Sequence, residues 1–131
     1  VILTFAKAIE ILDELVEEKG ENYVYRDDPK TVTTRKSRIP AVFNQDSSNN
    51  CYYSHYDGTP GCIIGHLIHK LNPEFDLKSA DPLLLGDALR KAGVEIADDG
   101  TFVLLARTQY AQDVAWPWGE AVARGKRESA A

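Results

Sequence analysis

The chain holds only two cysteines and three histidines in 131 residues, no methionine and no surplus of positive charge. Two cysteines do not make a disulfide scaffold. One Cys51–Cys62 bridge would suit an oxidising compartment, but both thiols are read here as reduced. No stretch approaches the roughly 20 apolar residues that cross a bilayer. The first residues lack a basic region followed by a continuous apolar run, so the sequence predicts no membrane partner. A net charge of −5 supplies no general attraction for nucleic acid or anionic lipid. The basic groupings, Lys30 with Arg35, Lys36 and Arg38, and Arg124 with Lys126 and Arg127, read as solvated loop and tail, so no nucleic-acid partner is expected. Glycine-rich phosphate loops, Gly-x-Ser-x-Gly and His-Glu-x-x-His are absent, which leaves enzyme readings without a positive motif.

What is present suits one domain spanning residues 1–131: 44% hydrophobic and 27% charged residues, the ordinary globular balance. Ile2, Phe5, Ile9, Leu12 and Val16 recur at helical steps and predict a helix over 4–19, with Thr4 as cap and Gly20 as stop. Asn22–Arg26 alternates as a strand, and Cys51–Tyr56 reads as its antiparallel partner, closed by the turn Asp57-Gly58-Thr59-Pro60-Gly61. Residues 27–50 are rich in Asp, Pro, Thr, Ser and Asn and predict a long mobile loop, because they could bury little surface to offset their ordering entropy. A short helix is expected over 61–71. Another should begin at Asp81-Pro82, bury Leu85, Ala88, Leu89 and Ala92, and end at Gly93. Phe102, Leu105, Ala106, Gln109, Tyr110 and Asp113 form a further helical stripe. A last helix begins near Pro117, and residues 126–131 read as a frayed tail. The fold class predicted is α+β, with four or five short helices packed around a small antiparallel β-hairpin.

Both cysteines and all histidines fall between Cys51 and His69. At 100° per residue Cys62, His66 and His69 share one helix face, and strand alternation places Cys51, Tyr53 and His55 on one side. Three readings follow. A zinc site would draw on Cys51, His55, Cys62, His66 and His69, although the cysteines are spaced too widely for a zinc knuckle. A nucleophilic thiol at Cys62, activated by the helix amino terminus with His66 as base, is the second. The third takes Cys62 as a packed residue and the imidazoles as a solvated face, and the sequence favours it. Neither metal nor catalytic residues are therefore assigned.

Trp116 and Trp118 flank a proline and, with Tyr110, are candidate contacts for a protein partner. Glu14 and Glu17 belong to an acidic helix face that could dock on a basic surface. Pro60-Gly61-Cys62-Ile63-Ile64-Gly65-His66, together with Gln109-Tyr110-Ala111-Gln112-Asp113 and Trp118-Gly119-Glu120-Ala121, resembles small uncharacterised accessory proteins of mycobacteriophages and other actinobacteriophages. The resemblance implies an accessory protein acting inside the bacterial host. Together with the lack of a catalytic constellation and the aromatic and acidic surfaces, it leads to the expectation of a non-enzymatic protein that binds and modulates a bacterial host protein in the host cytoplasm. A metal- or thiol-dependent catalyst and a virion component are the alternatives.

Overall fold

The computed structural model describes residues 1–26 and 52–129; the predicted 27–50 loop and Cys51 lie outside that range. Helix α1 spans Phe5–Lys19. Thr4 caps it by accepting the Lys7 N–H at 3.2 Å, and Gly20 ends it at φ 93°, a left-handed conformation that favours glycine. Its buried face is Ala8, Ile11, Leu12 and Leu15. This face is rotated from the expected stripe, so that Ile9 and Val16 pack only at the margin. Ile2 is not part of the helix: Ile2–Leu3 forms strand β1, which pairs in parallel with β2, Glu95–Ile96.

Helix α2 spans Ile63–Leu71 and is stopped by Asn72, as its apolar run and the following proline dictate. A 3-10 helix, η1, covers Leu77–Ala80, and helix α3 covers Leu85–Lys91. Leu85, Ala88, Leu89 and Ala92 are buried, and Gly93 turns the chain at φ 81°. Asp81 does not cap α3. Its buried carboxylate accepts the Tyr53 N–H at 2.7 Å, the Ser54 N–H at 3.2 Å and the Ser54 hydroxyl at 3.3 Å, so it fastens the 52–54 segment onto the end of η1.

Helix α4 spans Asp99–Asp113, capped by Asp98, and helix α5 spans Trp118–Ser129. The face that α4 buries is Thr101, Leu104, Leu105, Thr108, Ala111 and Gln112. Of the predicted stripe only Leu105 is fully covered, and Phe102 and Tyr110 lie exposed. The two helices approach so closely that a Cβ on Gly125 would fall 2.1 Å from Thr108 Oγ1 and 2.8 Å from the Leu104 carbonyl. Between them Ala115 stands at φ 70°, with Ala115 N–H on Gln112 O and Trp116 N–H on Ala111 O. That is a Schellman turn with alanine where glycine is usual.

The predicted α+β class with an antiparallel hairpin is overturned. The described residues are helix-dominated, with five α-helices and a two-stranded parallel sheet two residues long. Segment 22–26 is not a strand. The carbonyls of Glu21 and Tyr23 accept the Gly119 and Trp118 N–H groups at 2.9 and 2.8 Å, so this stretch covers the start of α5 and does not pair with 52–56. The latter folds back on itself, with one antiparallel bridge between Ser54 and Pro60. Tyrosine alternation suggested a strand, but the main-chain groups here serve a helix end.

Two substitutions test these constraints in opposite directions. Asp81→Ala strands two buried N–H donors and should lose about 2–4 kcal/mol in urea unfolding. Ala115→Gly relieves a left-handed alanine and should gain about 0.5–1 kcal/mol by the same measurement; a loss there would contradict the turn geometry.

Candidate functional site

Cys62 precedes the first residue of α2, is fully buried and is disulfide-bonded. The expectation of a reduced thiol is thereby corrected, and with it the readings of Cys62 as nucleophile or ligand, since both need a thiolate. The amino terminus of α2 is also occupied. Gln112, buried on α4, accepts the Ile63 N–H through Oε1 at 2.7 Å, a cap delivered from a distant helix.

The three histidines have different surroundings. His66 Nδ1 lies 3.0 Å from the Cys62 carbonyl; a carbonyl only accepts, so Nδ1 carries the proton and donates. The ring meets Trp118 edge-on at 5.3 Å, and Trp118 meets Tyr23 edge-on at 4.7 Å. Burial holds His66 below the usual histidine pKa; the hydrogen bond to the Cys62 carbonyl opposes this, and the nearby charge of Lys19 adds to the depression. His55 stacks on Tyr25 at 6.2 Å, while His69 is exposed. Among the described residues no group of three or more His, Cys, Asp or Glu side chains is arranged to hold a metal ion. The zinc reading therefore gains no ligand set from them.

The candidate partner contacts separate in space. Trp118 is wholly buried and offers no surface. Tyr110 is 55% exposed, and Trp116 is partly covered. The Arg124 guanidinium lies over both rings, at 5.4 and 5.0 Å from their centroids. Glu14 and Glu17 remain exposed on α1, whereas their neighbours are engaged: Glu18 pairs with Lys70 and Asp13 with Lys126, each at 2.7 Å.

A second feature went unread in the sequence. A cleft of about 580 Å³ opens between α3, β2 and the first turn of α4, with Leu89, Arg90, Ile96 and Phe102 in its walls. Strand register decides how β2 faces it. Glu95 and Ala97 donate their N–H groups to Val1 and Leu3 of the β1 side, at 2.7 and 3.0 Å. The intervening Ile96 peptide groups therefore point the other way, and residues of β2 line the cleft while residues of β1 do not. The Phe102 ring is 40% exposed and lies beside Gly86, where an added Cβ would sit 3.7 Å from the ring and 3.8 Å from the Arg90 guanidinium.

Charge in this cleft is predominantly negative. Glu95, Asp98 and Asp99 line it with Arg90, and Arg90 is already paired with Asp87. Asp98 is held below the usual carboxylate pKa by the Thr101 N–H and then by its hydroxyl, both at 2.8 Å. Set beside models of protein families, curated proteins and solved structures, the chain matches none. No helix among the described residues is long and apolar enough to cross a membrane.

The His66 environment predicts a pH effect of definite sign. The folded pKa lies below the unfolded value near 6.5, so the unfolded chain binds the proton more readily. Stability is full above that pH and declines as pH falls below it. Between pH 7.5 and 5.5 the melting temperature of the wild type should fall by about 3 °C more than that of His66→Phe. Equal falls in the two proteins would contradict the assignment.

Proposed function

We propose that this chain is a non-enzymatic protein-binding module whose docking site is the cleft beside β2. The observation that carries the reading is the conjunction in one place of an outward-facing main-chain edge at Ile96 and an exposed aromatic wall at Phe102. Apolar clefts with a few convergent polar groups are the usual form of a recognition site. Exposed aromatics supply much of the binding energy where proteins meet.

The resemblance of segments 60–66, 109–113 and 118–121 to actinobacteriophage accessory proteins supports a bacterial host protein as the partner. The disulfide at Cys62 argues for meeting that partner outside a reducing compartment, in place of the host cytoplasm expected from the sequence. Tyr110, exposed, and Trp116 and Arg124, partly covered, form a second surface cluster on α4, α5 and the turn between them.

Affinity capture from a mycobacterial lysate, with cytoplasmic and envelope fractions kept apart, tests the proposal. Wild-type protein should retain one partner in stoichiometric amount, and Phe102→Glu should reduce its recovery about tenfold or more, a loss of roughly 1.4 kcal/mol. Equal recovery by both proteins, or recovery of nothing above background, would exclude the cleft as the docking site.

A further inference from the structure

Resting on that reading, we propose that the cleft takes an extended peptide segment carrying a lysine or arginine, which adds to β2 as a third strand. The backbone requirement comes first. β2 sits between β1 and the cleft, and its pairing to β1 uses the N–H groups of Glu95 and Ala97. By strand alternation Ile96 keeps one N–H and one C=O turned away from β1, on the edge of a strand whose residues line the cleft, and an incoming strand needs such a pair in order to join an existing edge. A helix could not use them, because its own main chain is internally paired.

Two hydrogen bonds on a strand of two residues are a small contribution, so the side chains must supply the rest. An extended segment directs alternate residues to opposite sides. Those turned into the cleft would meet the exposed Phe102 ring, beside which Gly86 places no side chain. Glu95, Asp98 and Asp99 stand around this aromatic wall; among the described residues that line the cleft the one cation, Arg90, is answered by Asp87, and the Val1 ammonium beside it is held on the Gly93 carbonyl. Asp98 is already met by Thr101, but a neutral or acidic segment would leave Glu95 and Asp99 without a counter-charge as water is displaced, whereas a lysine or arginine would pair with them. Charge complementarity thus selects a cationic strand over an anionic one.

Selection from a randomised octapeptide display library, with the full-length chain as bait, reads this out. Enriched sequences should share a lysine or arginine at a fixed position within a β-prone stretch. A synthetic peptide of that consensus should shift the Ile96 amide resonance and bind about tenfold more weakly to Glu95→Lys/Asp99→Lys. It should also bind about tenfold more weakly to Gly86→Gln, which adds a side chain to the cleft wall beside Phe102 from a helical position where glycine is already unfavourable. Methylating the backbone nitrogen of the peptide residue that faces Ile96 should abolish binding. Enrichment of acidic or neutral sequences, indifference to Gly86→Gln, tolerance of N-methylation, or no enrichment at all would each overturn strand addition. A host protein captured by the wild type and lost with Phe102→Glu would in that case leave the binding-module reading standing with a different mode of docking.

Discussion

The contact on which most of this molecule depends is the approach of α5 to α4 at Gly125, where no side chain separates the helix from the Leu104 carbonyl and Thr108. Thr108 turns its hydroxyl back to Leu104 O at 2.7 Å, so the polar group that meets Gly125 is already satisfied and the interface can close dry. Once the two helices are fixed, three things follow. Gln112 of α4 reaches the amino terminus of α2. Trp118 of α5 is set between Tyr23 and His66. The first turn of α4 stands beside β2 and bounds the cleft. Any side chain at position 125 would wedge the pair apart and disturb all three.

Buried polar groups are the second organising constraint, and they act between elements more than within them. Asp81 holds the main chain of Tyr53 and Ser54, and Gln112 holds that of Ile63. Tyr53 returns its hydroxyl to Leu83 O at 3.0 Å. The same region is tight: a Cβ on Gly65 would lie 2.0 Å from the Tyr53 carbonyl. Helix α2 is thus pressed against the 52–54 segment on one side and capped from α4 on another. Such cross-links convert a set of short helices, each marginal alone, into one packed core.

Features set by local chemistry were legible in the sequence. Thr4 and Gly20 bound α1, Asn72 ends α2, and the Leu85, Ala88, Leu89 and Ala92 stripe is buried as its spacing predicts. Features set by distant partners were not. Asp81-Pro82 has the form of a helix start, but the partners of Asp81 lie 27 and 28 residues earlier, and nothing in the local pattern distinguishes a capping carboxylate from one that fastens a loop. In α4 apolar residues occur nearly all round, from Phe102 to Ala106, so hydrophobic spacing alone could not orient it. The buried face is fixed instead by the small and polar residues Thr101, Thr108 and Gln112. The short parallel pair was hidden because Ile2 continues the apolar rhythm of α1. Its displacement into a strand, and the exposure of Phe102, together produced the cleft that the sequence did not disclose.

The residues that looked most reactive are those the fold has used up. Cys62 is in a disulfide, the helix start beside it is capped by Gln112, and His66 is spent on a carbonyl and a tryptophan edge. By contrast, the cleft owes its character to groups that the fold leaves partly free. Asp98 joins the two regimes. Its carboxylate caps α4 through Thr101 and at the same time lines the cleft. The hydrogen bonds that start the helix also stabilise the ionised form of Asp98. Part of the negative charge of the cleft is thereby written into the capping of α4, and cannot be removed without loosening the helix that carries Phe102.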